Sequence, residues 1–86
     1  MRRSIDDHPA HQADIPPGLD GELTPVSWAV AISDDYDDGE VRVVLTTEEV
    51  GRHGAGLVAH LRPASARRLR VALRDALREL GEDPGS

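Results

Sequence analysis

The chain is 86 residues long, with ten Arg, no Lys, sixteen acidic residues and a formal net charge of −6. This length leaves room for one small domain and excludes a large catalytic core. The absence of cysteine excludes both a disulfide scaffold and a zinc site with thiolate ligands.

The first 24 residues predict a flexible polar arm. Prolines and glycines interrupt them, and their large apolar residues are isolated, so they show no hydrophobic periodicity. No apolar segment of a secretory signal follows Arg2 and Arg3, and no part of the sequence approaches the roughly 20 apolar residues of a membrane span. We therefore expect a cytoplasmic protein that makes no contact with membranes.

Three strands are predicted after the arm. Large apolar residues occupy every second position over residues 26–32 and again from 41 to about 47, which is the period of a half-buried strand. A third apolar segment covers residues 57–61. The acidic segment 33–40 predicts a hairpin loop, and the three glycines within 48–56 predict a flexible second connection.

A C-terminal helix is predicted from Pro63 to about Leu80. Proline suits the first helical position because its missing N–H would have no partner there. Gly81 is placed to cap the C-terminus, and Pro84 prevents continuation of the helix. The residues that follow the i, i+3, i+4 spacing of one apolar face are Ala66, Leu69, Ala72, Leu73, Ala76, Leu77 and Leu80.

These elements predict an α+β fold, a three-stranded antiparallel meander followed by one amphipathic helix. The domain would span residues 25–81, between the arm and a tail at 82–86. With one Trp, one Tyr and no Phe, the chain has little apolar surface to bury, so we expect it to gain stability as a homodimer. Trp28 is the predicted core anchor. The residues predicted to form the core or the dimer interface are Trp28, Val30, Val43, Leu45, Leu69, Leu73 and Leu77.

The predicted helix is basic although the chain is acidic. Residues 63–80 hold five Arg and two acidic residues, a net charge of +3, so the rest of the chain carries −9. We expect four of these arginines to form a stripe opposite the leucines, with an apolar residue at its centre. The stripe would bind an acidic surface of a protein partner; the alternative is an ordinary solvated face. The residues of this "Arg stripe" are Arg67, Arg70, Val71, Arg74 and Arg78.

Two groups of polar residues invite a metal-binding interpretation, and neither matches a known signature. Four aspartates lie between Asp34 and Asp38, but the twelfth position counted from Asp34, which an EF-hand fills with Glu, is Leu45. The histidines, which lack the spacing of a zinc site, are His8, His11, His53 and His60. We expect no metal and no other cofactor. The acidic segment is then a solvated turn, or the counterpart of the Arg stripe on another subunit.

The helix and the strands before it resemble a family of small regulators. The segment from Leu61 to Leu69, with the later Ala-Leu pairs and a preceding Pro-Val-Ser-Trp strand, is similar to the small actinobacterial developmental regulators of the BldB type, over about residues 24–80. The use of Arg to the exclusion of Lys is typical of GC-rich coding and fits such a source. The resemblance implies a self-associating regulator of development or secondary metabolism that works through partners.

The sequence thus predicts a noncatalytic regulatory or interaction protein, a homodimer that acts in transcriptional or developmental control through protein partners. It contains neither a nucleophile elbow nor a phosphate-binding loop, so we do not expect an enzyme. Two alternatives stay open: a regulator that binds DNA directly through the Arg stripe, and a small metal-dependent enzyme or metal-binding protein. The negative net charge and the lack of aromatic residues among the arginines disfavour nucleic acid.

Overall fold

In the computed structural model, which describes residues 1–19, 21–52 and 54–85, a four-stranded antiparallel sheet is followed by one helix. The strands lie in the sheet in chain order. The α+β class is confirmed, with four strands rather than the predicted three. The elements are β1 (Arg2–His8), a short 3-10 helix (Gln12–Asp14), β2 (Val26–Ser33), β3 (Arg42–Glu49), β4 (Leu57–Leu61) and α1 (Pro63–Glu79).

The additional strand β1 lies within the segment predicted to be a flexible arm. It pairs antiparallel with β2, from Arg2 opposite Ser33 to His8 opposite Trp28, and a bulge interrupts the register between Ser4 and Asp6. Backbone hydrogen bonds can hold an edge strand whose side chains have no apolar periodicity. Because β1 has no such periodicity, the sequence pattern did not predict it. The predicted arm and domain boundary are therefore wrong for residues 2–8.

Gly81 caps the C-terminus of helix α1, as the sequence predicted. Gly81 adopts a φ of +77°, a left-handed conformation that favours glycine, and its N–H donates to the carbonyl of Arg78 at 3.0 Å. The N–H of Glu82 donates to the carbonyl of Leu77 at 2.9 Å. These two bonds form a Schellman motif, which satisfies carbonyls that the helix itself cannot. The chain therefore turns back sharply after α1.

The strand register separates the sheet into two faces. Val30 lies opposite Leu45, and Val43 lies between Ile32 and Leu61, so these five residues share one face, here called the apolar face. The other face carries Val44 of β3 and its register partners Ala31 and His60. The helix α1 lies against β3 and β4 on the apolar face.

One chain alone encloses almost no core. Among the described residues, only Val44, at 1% exposure, and Ser33 are buried, and no residue of α1 is buried. The radius of gyration is 15.1 Å, whereas a compact domain of this length has about 12 Å. In a single chain the apolar face therefore stays half-buried and the leucines of α1 stay exposed.

Trp28 is not the buried anchor that the sequence predicted. Its side chain lies on the same side of the sheet as Val30 but is 36% exposed, and it stacks on His8 with 5.0 Å between ring centroids. The strand period puts Trp28 on the apolar side, between its register partners His8 of the edge strand and Thr47 of β3, and these leave its side chain partly exposed. As a core residue of one chain, Trp28 was predicted wrongly; its role in a dimer interface stays a prediction.

Candidate interaction surface

The helix and the apolar face enclose an open groove of about 300 Å³. The sheet and α1 form its two walls, and one residue beyond α1 closes one side. Apolar side chains dominate the lining, which favours an apolar occupant. The lining residues are Val30, Val43, Leu45 and Leu61 from the sheet, Ala66, Leu69, Arg70, Leu73, Arg74 and Leu77 from α1, and Pro84.

The groove brings together most of the residues that were predicted to form the core or the dimer interface. All of that set except Trp28 line it. They are only partly covered: Leu73 is 59% exposed, and Leu69 and Leu77 are about 40% exposed. They were predicted as residues of a core or of an interface, and one chain does not make them a core. Their assignment to a dimer interface stays a prediction.

Pro84 lines the groove, although no pattern in the sequence predicted this position for it. It lies beyond the helix, in the predicted tail, where no hydrophobic periodicity applies. The Schellman motif at Gly81 turns the chain back, and Pro84 then lines the groove. Ala66 and Leu61 also line it, and the apolar spacing of helix and strand carried a signal for both.

Two residues of the Arg stripe do not lie opposite the leucines as predicted. Arg70 and Arg74 line the same groove as Leu73 and Leu77. The reason is helical geometry: Arg70 precedes Leu77 by seven residues, which leaves the two side chains only about 20° apart around the helix axis. Nε of Arg74 also donates to Oδ1 of the neighbouring Asp75 at 3.3 Å.

The rest of the Arg stripe lies outside the groove. Arg67, Val71 and Arg78 do not line it, and Val71 is 38% exposed. The predicted partner-binding surface is therefore divided. Arg70 and Arg74 line the groove, whereas Arg67, Val71 and Arg78 form an outer surface with an apolar residue between two cations.

A polar cluster covers the opposite face of the sheet. The hydroxyl of Tyr36 lies 2.8 Å from Nδ1 of His60, and the guanidinium of Arg42 lies 4.5 Å from the centre of the Tyr36 ring. His60 is the register partner of Val44, the most buried side chain. This cluster was not predicted, because its members come from a loop and two strands that only the sheet brings together.

The acidic loop between β2 and β3 already has cationic partners within the chain. Arg42 binds both carboxylate oxygens of Asp38, at 2.6 and 3.0 Å, and this pairing holds the pKa of Asp38 well below its usual range. The amino group of Met1 lies 2.6 Å from a carboxylate oxygen of Asp34 and of Asp35, and its hydrogen bond lowers the pKa of Asp34. Three of the four aspartates, Asp34, Asp35 and Asp38, are therefore already paired with a cation within the chain.

The histidines have separate environments. His8 stacks on Trp28, Nδ1 of His11 accepts from the N–H of Ala13 at 3.2 Å, and His60 contacts Tyr36. His53 lies outside the described residues. Within residues 1–19, 21–52 and 54–85, no three His, Asp or Glu side chains come together in a way that could hold a metal ion.

No helix in the described part of the chain has the length and apolar character needed to cross a membrane. The chain was also compared with known proteins at three levels. No family model, no curated protein and no solved structure matches it significantly.

Proposed function

We propose that this chain is a noncatalytic regulatory or interaction protein that works as a homodimer and acts in transcriptional or developmental control through a protein partner. The observation that carries the proposal is the open groove between the apolar face and α1. Its apolar lining suits another apolar surface, and its two arginines add cationic side chains to that lining. The resemblance of the helix and strands to BldB-type regulators supports the regulatory role.

A second copy of the chain is the occupant that the exposed surface favours. A single chain has a helix without one buried residue and a sheet whose apolar face is half covered, so its stability is marginal. A two-fold axis would bring the same groove from each copy together, as an isologous interface requires. The basic helix segment, at +3, and the remainder, at −9, also attract one another between copies.

The outer surface of α1 is then left for another protein. Arg67 and Arg78 flank Val71 outside the groove, so dimerisation through the groove leaves them exposed. An apolar residue with a cationic rim suits an acidic protein surface with an apolar centre. This separation assigns self-association to one side of the helix and partner binding to the other.

Leu73→Glu tests the dimer. A buried carboxylate in the groove should raise the dimer dissociation constant at least about thirtyfold, because losing a central interface residue costs about 2 kcal/mol or more. Val71→Glu is the matched control: it introduces the same charge into the same helix, outside the groove, and should leave the dimer intact. Sedimentation equilibrium measures both. An unmodified chain that stays monomeric at tens of micromolar would refute the proposal.

The double variant Arg67→Gln/Arg78→Gln tests the partner-binding side. It should keep the dimer, since neither residue lines the groove, and should fail to restore regulation in a host that lacks the protein. Arg70→Gln/Arg74→Gln is the comparison, changing the same charge in the groove lining. If the unmodified protein binds duplex DNA at physiological salt, with affinity that falls steeply as salt rises, and Arg67→Gln/Arg78→Gln does not, direct DNA binding replaces the protein partner.

A further inference from the structure

We propose that the free edge of β4 pairs with the same edge of a second copy, so that two sheets join into one continuous eight-stranded sheet. This inference rests on the proposed homodimer and adds a contact between sheet edges to the contact between grooves. β4 is the last strand of the sheet, and within the described residues it has a strand partner on one side only, β3. Its other side presents unpaired backbone N–H and C=O groups, which template the addition of another strand.

The two edges of the sheet differ in the features that prevent strand addition. β1 carries a bulge between Ser4 and Asp6 and four charged side chains among its seven residues. Bulges and charges are the devices by which proteins protect an exposed edge. β4 has no bulge in its register with β3 and no Asp, Glu, Lys or Arg among its five residues. The unprotected edge is therefore the one suited to pair.

Two apolar side chains of β4 are also exposed, and a second strand beside β4 would cover part of each. Leu57 is 79% exposed and Val58 is 51% exposed. These residues lie on opposite faces of the sheet, so no single covering layer within the chain could bury both. Antiparallel pairing of two β4 strands would place apolar side chains beside each other on both faces and bring no like charges together.

Symmetry makes a specific prediction about register. If the two-fold axis is perpendicular to the joint sheet, both copies turn the apolar face to the same side, and both helices lie on that side. Residues that face each other across the new pair must then have the same face, so one residue of β4 lies opposite its own copy. An axis in the sheet plane would run along the strands and make the two β4 strands parallel, so antiparallel pairing requires the perpendicular axis.

Single-cysteine variants of the full chain test the pairing, because the chain has no cysteine of its own. Val58→Cys, Ala59→Cys and His60→Cys sample the centre of β4, and Ser4→Cys, on the opposite edge, is the control. Directly opposed strand residues have Cα atoms about 4.5–5.5 Å apart, which is within disulfide range. Under mild oxidation we expect one β4 variant to form an intersubunit disulfide about tenfold faster than the control.

The possible results separate this inference from the proposed function. A dimer by sedimentation in which none of the three β4 variants crosslinks, or in which Ser4→Cys crosslinks fastest, would overturn β4 pairing and leave the homodimer standing. A monomeric unmodified chain would overturn both. Amide hydrogen exchange of the unmodified protein is the check that needs no variant: pairing protects every amide of β4 from exchange, and a free edge leaves alternate amides unprotected.

Discussion

At the residue scale, Trp28 shows that the hydrophobicity of a side chain does not by itself determine its burial. An indole at an apolar strand position is expected inside a core. Here the strand beside it, β1, offers one ring, that of His8, and leaves the indole 36% exposed. The side chain is therefore a surface feature of one chain, and its contribution to stability depends on what covers it.

Trp28→Ala should lower the free energy of unfolding by about 1–2 kcal/mol, less than the 3–5 kcal/mol of a fully buried aromatic, because 36% of the side chain is already exposed. Trp28→Phe, which keeps a ring for His8 to stack on, is the control. Chemical denaturation followed by circular dichroism measures both variants. A loss of 3–5 kcal/mol would instead place Trp28 inside the dimer interface.

At the scale of elements, β1 is the part of the fold that contributes backbone pairing rather than apolar surface. Its residues are exposed except His8, yet it pairs along most of β2. Without it, the backbone of β2 would become a long free edge with apolar residues on both faces. Such an edge is open to aggregation.

Removal of residues 1–10 should therefore destabilise the remaining domain by at least about 2 kcal/mol, since several backbone hydrogen bonds worth about 1 kcal/mol each are lost. Asp6→Asn/Asp7→Asn is the control that changes β1 side chains and retains its backbone, and it should alter stability by no more than about 0.5 kcal/mol. Thermal unfolding measures both. An unchanged midpoint after the deletion would support a dispensable arm.

At the scale of the whole molecule, the chain is extended and its helix does not close fully onto the sheet. The principal extents are 46 × 33 × 16 Å, and the groove lies between the sheet and the helix. A two-layer α+β domain normally closes its helix onto the sheet. Here the two layers meet at β3 and β4 but leave the leucines of α1 exposed and the apolar face half-buried, an arrangement that the proposed dimer would complete.

Folding coupled to dimerisation predicts a dependence on concentration. A tenfold increase in protein should raise the midpoint of thermal unfolding by about 3–5 °C, because mass action favours the associated, folded state. Differential scanning calorimetry between about 5 and 500 µM covers the range in which an interface of this kind forms. A midpoint that does not change with concentration would show that the chain folds without a second copy.

The amino-acid sequence by itself determined the elements whose side chains repeat with a period. The alternation over β2 and β3, the apolar segment of β4 and the spacing of α1 each predicted an element within about two residues of its bounds, because amphipathic periodicity records which side of an element avoids water. The same periodicity placed Val30, Val43, Leu45, Leu69, Leu73 and Leu77 on surfaces that line the groove.

Only the tertiary structure decided the rest. β1 is held by backbone hydrogen bonds to a strand about 25 residues away, and no local pattern of its own side chains indicates such pairing. The position of Arg74 in the groove depends on which side of α1 faces the sheet, and that of Pro84 depends on the turn at Gly81, whereas helical spacing alone places Arg70 beside Leu77. Periodicity predicts that a helix has an apolar side. Which residues beside that apolar side also line the groove depends on how the helix packs against the sheet.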